Sequence, residues 1–280
     1  MQPAISTLTL RTVTRCALAI SLLLAPFSAP FSASAQTQSP PFHGLAHVAI
    51  RVNDVAASRD FYQKLGFEQF FAFEKNGVPT ESFIKVNDRQ FIELYPKEQG
   101  KPIGFLHLCF DGDDLNALHD FDVAQGLTPT PVRKAGAGNL LFTLRGPEDQ
   151  NIEYTQYMPG SRHSEDRGKH LGPNRIADNF FAVALGMKDV PAANTFYTGE
   201  LGFSTIHPNL LLIPGSANQQ VLIEQFVSPR SRIFLLVPNL KKASAELKKQ
   251  GIAATHGKHK LTVTDPDGNL LVFTSKQVAD

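Results

Sequence analysis

The segment HVAIRVNDVAASRDFYQKLGF, beginning at His47, returns from Ala182 as AVALGMKDVPAANTFYTGELGF, with one extra residue before the Leu-Gly-Phe. Both copies read strand, Asp turn, amphipathic helix, Gly stop, strand. Asp54 and Asp189 suit helix N-caps, and Gly66 and Gly202 suit the left-handed residue that ends a helix. A second pair of segments matches in the same way: GFLHLCFDGDDLNALHDFDVAQGL with RIFLLVPNLKKASAELKKQGI, and DQNIEYTQ with DGNLLVFT. The chain is therefore built from four strand–helix–three-strand units, at about 44–97, 102–158, 178–227 and 231–275. A lone unit has a sheet with one helix-covered face and one bare face, so units must pair. Two four-stranded sheets side by side make a half-closed barrel whose concave face is free to bind something. The expected fold class is α+β, four βαβββ units forming two half-closed barrel domains, 44–158 and 178–280. A connector at 159–177, rich in Gly, Pro, charge and His, joins them.

The first 35 residues fall outside this scheme. Arg11 and Arg15 precede an apolar run from Cys16 to Pro26, and Ala33-Ser34-Ala35 precedes Gln36. That order reads as a secretory signal peptide, with an apolar core too short to span a bilayer. A periplasmic or secreted product is expected, with 36–43 as a loose tether. Two of the 27 Lys and Arg and none of the 26 Asp and Glu lie before Gln36, so the mature chain carries a formal charge of −1. This argues against a nucleic-acid or anionic-membrane surface. No other run is long enough for a membrane helix. Cys109 is the only thiol left, which excludes an internal disulfide; in an apolar strand it reads as a small buried side chain.

Four residues stand out within short alternating runs: His47 in HVAIRV, Glu93 in FIELY, His107 in FLHLCF and Glu153 in NIEYTQY. Alternate side chains of a strand take opposite faces, so each lies opposite its apolar neighbours. Two imidazoles and two carboxylates converging on one concave face suit a divalent cation of intermediate softness. Arg51 shares the face of His47 and suits an anionic substrate group, while Tyr95 and Asn151, also candidates for substrate contact, and Thr155 share faces with the ligand candidates. His163, Arg167, Lys169 and His170 in the connector suit a lid or second cation site, but a solvated connector is the expected reading. Ala135–Asn139 (AGAGN) precedes no helix pattern and is not a phosphate loop. Neither G-x-S-x-G nor H-E-x-x-H occurs.

The chain resembles the vicinal oxygen chelate superfamily, which includes glyoxalase I, extradiol dioxygenases, methylmalonyl-CoA epimerase and bleomycin- or fosfomycin-resistance proteins. The likeness rests on H-V-A-I-R-V-x-D followed by F-Y-x-x-L-G-F, on the I-E-L strand, on G-F-L-H-L-C-F and on D-P-D-G-N-L-L-V-F. It implies a metal held by the first and fourth strands of one unit and the matching strands of its partner, hence by His47, Glu93, His107 and Glu153. This set is similar to that of bacterial glyoxalase I, whereas extradiol dioxygenases use two His and one carboxylate. The implied cofactor is a divalent metal ion: Zn, Ni, Mn, Co or Fe. In the second half Ala182, Phe234 and Leu271 stand for His47, His107 and Glu153, and Glu224 alone survives, so that half is expected to be metal-free. Only pairing unit one with unit two then completes a site; the arrangement admits a homodimer, with exchange of units between chains.

The resemblance implies a glyoxalase-like isomerase or lyase acting through an enediolate on a small molecule with vicinal oxygens, Glu153 or Glu93 serving as base. The alternatives are an Fe(II)-dependent ring-cleaving dioxygenase using His47, His107 and Glu153, and a non-catalytic small-molecule binder.

Overall fold

In the computed structural model residues 42–276 and 279 are described. The signal peptide and most of the tether lie outside them. Unit one comprises β1 (Phe42–Val52), α1 (Val55–Lys64), β2 (Glu68–Lys75), β3 (Val78–Lys85) and β4 (Phe91–Pro96). Phe42 and His43, expected in the tether, belong to β1, because the Phe42 ring stacks on Phe110 at 5.5 Å inside the core. Unit two comprises β5 (Gly104–Gly112), α2 (Leu115–Ala124), β6 (Arg133–Lys134), β7 (Leu140–Arg145) and β8 (Asn151–Gln156). A short helix, α3 (Arg162–Glu165), follows in the connector. Unit three comprises β9 (Asn179–Met187), α4 (Val190–Thr195), β10 (Ser204–His207), β11 (Leu210–Leu212) and β12 (Gln220–Gln225). Unit four comprises β13 (Arg232–Leu236), α5 (Leu240–Lys249), β14 (Thr255–His256), β15 (Lys260–Thr264) and β16 (Leu270–Thr274).

The caps form where the residues place them. Asp54 accepts from the amides of Ala56 and Ala57, Asp189 from that of Ala192, and Gly66 and Gly202 take φ of +83° and +73°. The extra residue of the third unit is absorbed by a π-helical turn, Phe196–Glu200, which follows α4 and restores the register of Leu-Gly-Phe.

Each pair of units makes one eight-stranded sheet, ordered β2-β3-β4-β1-β5-β8-β7-β6 and β10-β11-β12-β9-β13-β16-β15-β14. Unit one thus pairs with unit two, and three with four. The two sheets share one apolar core, in which Phe42 and Phe110 of the first meet Phe203, just before β10, at 6.1 and 5.5 Å. Equivalent polar contacts pin the pairs together. The Gln90 amide donates to the Phe180 carbonyl (2.8 Å) and accepts from the Phe180 amide (3.1 Å), while Gln219 accepts from the Leu45 amide (2.5 Å). Likewise Asp267 accepts from the Asn53 amide and Ser58 Oγ (2.8 Å each), and Glu148 from the amides of Lys188 and Asp189 (2.7 and 2.9 Å). Among the described residues no helix is long and apolar enough to cross a membrane.

Helical spacing puts Asp122 on the buried face of α2 with Leu115 and Leu118, and its Oδ2 has no partner. Burial raises its pKa to about 7. The folded chain therefore holds a proton that the unfolded chain releases near pH 4, and stability falls as pH rises from about 4 to about 7. Asp122→Asn is expected to stabilise the protein by on the order of 1–3 kcal/mol at pH 8 and by nothing near pH 4. Urea unfolding at the two pH values checks this; a gain equal at both would exclude ionisation as its cause.

Candidate metal centre

Four central strands of the first sheet, β4-β1-β5-β8, carry the site on two adjacent rungs. Ala49 lies between Glu93 of β4 and His107 of β5, and His47 lies opposite Cys109, which pairs with Glu153 of β8. Ala49 occupies the centre of this group with only a methyl, leaving the concave face open for the longer side chains to converge. His47 Nε2 lies 3.0 Å from His107 Nε2 and 3.5 Å from Glu153 Oε1. The other nitrogen, Nδ1, lies 3.1 Å from Glu93 Oε1, whose second oxygen is 4.0 Å from His107 Nε2.

Burial sets the charge states. It holds the His47 imidazole well below its ordinary pKa, helped by neighbouring His107 and His163, and lowers His107 to about 4. It also pushes Glu93 well above the usual carboxylate range, reinforced by Glu81 and Glu153, and lifts Glu153 to about 7. The Cys109 thiol is raised by burial and by Glu153, so it is no thiolate nucleophile. Two neutral imidazoles and crowded carboxylates form a donor set that lacks a positive charge. A divalent ion would supply that charge, and two imidazole nitrogens 3.0 Å apart are close enough to bind one ion together. The residues present fit a metal.

Three of the four side chains, His47, Glu93 and Glu153, border a cavity of about 210 Å³, lined also by Glu81, Arg133 and Tyr95 on the polar side and by Phe73, Phe83, Leu141, Tyr157 and His163 on the other. That is room for about seven waters, the scale of a small molecule. Tyr95, an expected substrate contact, donates to Glu81 Oε1 (2.7 Å) and lies 3.3 Å from Glu93 Oε2. Thr155 also lines the cavity. The other two expected contacts do not. The Arg51 guanidinium turns to Glu98 (3.2 Å) and the Pro102 carbonyl (3.4 Å) in the loop after β4, and Asn151 borders a separate groove with Phe105 and Met187. The alternation of strand faces fixes a side but not how far along the strand the cavity extends.

Glu81, not a candidate from the sequence, and His163, expected in a solvated connector, complete the site. Glu81 sits in the alternating run of β3 and reaches the cavity past Tyr95; its position in PTESFIK was a signal of the same kind as that of Glu93. His163 comes from the connector, which is not the solvated segment expected. Lys85 Nζ, wholly buried at the end of β3, donates to the Asp166 and Lys169 carbonyls (2.7 and 2.8 Å) and to Asp166 Oδ2 (2.7 Å), and pairs with Asp88 (2.9 Å). Farther on, the Ile176 amide donates to the Leu65 carbonyl at 3.0 Å, and a Cβ on Gly66 would stand 2.7 Å from the Arg175 backbone. The connector thus packs against the first sheet, and His163 is buried.

The second cup is filled. Registered through β9, the counterparts of His47, Glu93, His107 and Glu153 are Ala182, Leu222, Arg232 and Val272. Phe234 corresponds to Cys109, Leu271 to Ile152 and Glu224 to Tyr95, which corrects three of the four expected correspondences. Ala182, Ala184, Phe234 and Val272 make a small apolar cluster there with Ala279. Arg232 pairs with Glu224 and lies 5.0 Å above the Phe234 ring.

The model of the "Glyoxalase/Bleomycin resistance protein/Dioxygenase superfamily" matches residues 44–154. No curated protein matches the chain in sequence. Among solved structures, a Mn(II)-bound glyoxalase from Novosphingobium aromaticivorans superimposes with a TM-score of 0.65 at 15% identity, over 84% of this chain and 82% of that one. The 2,3-dioxygenase LapB from Pseudomonas sp. KL28 gives 0.63 at 13%, over 84% and 92%. Homoprotocatechuate 2,3-dioxygenase from Arthrobacter globiformis gives 0.61 at 16%, over 86% and 82%.

Proposed function

Because residues 44–154 carry a domain of the glyoxalase/bleomycin resistance protein/dioxygenase superfamily, we propose that the protein is a metal-dependent enzyme acting on a small molecule with vicinal oxygens. The observation that carries this reading is the meeting of His47 and His107 Nε2 at 3.0 Å, with Glu93 and Glu153 against them, where His47 and both carboxylates line a cavity of about 210 Å³. His47, Glu93, His107 and Glu153 would hold the ion, which when bound supplies Lewis-acid polarisation of two substrate oxygens.

The rest of the chemistry falls to the chain. Glu153 is the residue we assign as base for a proton alpha to a carbonyl. Its side chain keeps 16% exposure where that of Glu93 keeps 4%, so it is the carboxylate more open to a substrate in the cavity. Glu93 is committed to His47 and Tyr95. Returning the proton to a neighbouring carbon gives an isomer, and expelling a leaving group gives a lyase product. Phe73, Phe83 and Tyr157 give the cavity an aromatic wall beside the carboxylates.

One observation favours a second reading. Glu93 touches Nδ1 of His47, while His107 and Glu153 approach Nε2. A carboxylate on the far nitrogen of a ligating imidazole is an orienting group, leaving His47, His107 and Glu153 as a triad suited to Fe(II) and ring-cleaving dioxygen chemistry.

Metal analysis of the purified protein, with NMR in D2O of small α-hydroxycarbonyl compounds, tests the two. Exchange of the alpha proton is expected on the metal-loaded enzyme. Iron content with oxygen uptake on a catechol would replace it by the dioxygenase reading, and no metal at all would sink both. We further propose export, on the basis of the basic, apolar and small-residue order of residues 1–35. Sequencing of the secreted product should then begin near Gln36; Met1 on a folded cytosolic product would refute it.

A further inference from the structure

Resting on that reading of the cup, we infer that His163, delivered by the connector rather than by any strand, is the hydrogen-bonding group that meets the bound substrate from the roof of the cavity. The ring is enclosed by Phe91, Tyr157, Phe70, Phe83 and Phe71, with centroids 4.7 to 5.7 Å away. Five aromatic neighbours make a pocket that a sixth phenyl group would fill well. An imidazole there carries a cost of about 1–3 kcal/mol for each buried polar atom left unpaired. Nε2 is not one of the enclosed atoms left without a partner and so opens onto the cavity, while the fold gives Nδ1 a partner.

That partner is Asn139, itself buried in the same cavity wall, whose Nδ2 donates to Nδ1 at 2.9 Å. The neutral ring then carries its hydrogen on Nε2. Among the described residues Nε2 has no hydrogen-bond partner, and the ring borders the cavity. Position agrees with this role. Phe91, the nearest ring to His163, is the register neighbour of His47 on β4, so the roof histidine stands over the metal-ligand rung. The ring cannot swing away. It is packed on its faces and edges, and three residues later Asp166 is tied to buried Lys85 through both its carbonyl and its carboxylate at 2.7 Å.

A substrate oxygen already polarised from the floor would receive the Nε2 hydrogen from the roof. The ligand class is therefore a small molecule with two adjacent oxygens, at least one keeping an acceptor lone pair directed at the connector. Charge accumulating on that oxygen would strengthen the bond, so His163 contributes most when the alpha proton is leaving.

The test uses the Zn(II)-loaded full chain and acetohydroxamate, a bidentate oxygen chelator that fits the cavity. Calorimetry is expected to give at least tenfold weaker chelator binding for His163→Phe, with zinc stoichiometry still one. His163→Gln, which retains a donor, should recover part of the loss. In wild-type protein labelled with 15N-histidine, the Nε2 signal absent from His163→Phe should shift when acetohydroxamate is added. Unchanged chelator affinity in zinc-loaded His163→Phe, or an unmoved Nε2 signal, would overturn the role of His163 alone. Failure of the wild type to bind zinc in the cup would overturn the functional reading, and the inference with it.

Discussion

Replacing His107 by alanine is expected to abolish tight binding of a divalent metal, lowering affinity on the order of a thousandfold, about 4 kcal/mol, with activity lost in step. The imidazole faces His47 at 3.0 Å, and among the described residues no third imidazole joins the close group of His47, Glu93 and His107. The informative comparison is between the carboxylates. If both Glu93 and Glu153 bind the ion, Glu93→Gln and Glu153→Gln should weaken it to a similar degree, each by at least tenfold, about 1.4 kcal/mol. If Glu93 only orients His47 through Nδ1, Glu153→Gln should cost far more than Glu93→Gln, which would then lose about 10–100-fold. Competition titrations against a chromophoric chelator read the ratio. Glu224→Gln is the control. It lies at the position of Tyr95 in a cup filled by Ala182, Phe234 and Val272, and metal content should not change.

What the sequence discloses here follows from what repetition can carry. The units, their caps and their pairing were legible because a strand–helix–strand repeat leaves one way to bury its bare face, and because a ligand set confined to one half forces units one and two together. The one-residue insertion in the third unit was visible as a mismatch. Its accommodation as a π turn was not, since a helix can also absorb a residue by a kink or a longer loop.

The second cup was misaligned for a physical reason. A slip of two residues along a strand keeps every side chain on its own face, so Glu224 for Leu222 and Phe234 for Arg232 satisfy the same alternation. Only the hydrogen-bond register separates them. The four register positions of the second cup hold Ala182, Leu222, Arg232 and Val272.

The connector failed for the opposite reason. Its Gly, Pro, His and charged residues have the composition of a solvated loop, and the residue that buries it, Lys85, reads as a surface lysine at a strand end. A contact spanning 81 residues between Lys85 and Asp166 has no signature in local pattern. The part of the site farthest from the repeat was therefore the part least legible: Glu81 and His163 approach the cavity from a flanking strand and from outside the units.

That contact carries the second large effect expected. Lys85→Met should destabilise the folded protein by about 3–5 kcal/mol, the range for removing one member of a buried ion pair. Lys85 Nζ is fully enclosed and satisfies two backbone carbonyls and two carboxylates. Without it Asp166 keeps its contact with His170 Nδ1 at 2.6 Å, but two carbonyls and a half-paired carboxylate are left under the roof. Adding Asp166→Asn to Lys85→Met removes the stranded charge and should restore part of the loss, because the carbonyls stay unpaired. Urea unfolding of the two variants measures both quantities. Equal stability of the single and double variants would mean that the carboxylate contributes nothing and that the lysine acts only through the backbone. Since the same clamp holds the segment bearing His163, zinc affinity in Lys85→Met should stay near the wild-type value under conditions where the protein remains folded, while acetohydroxamate binding falls. That separation of metal from chelator affinity is what a roof, rather than a ligand-bearing strand, predicts.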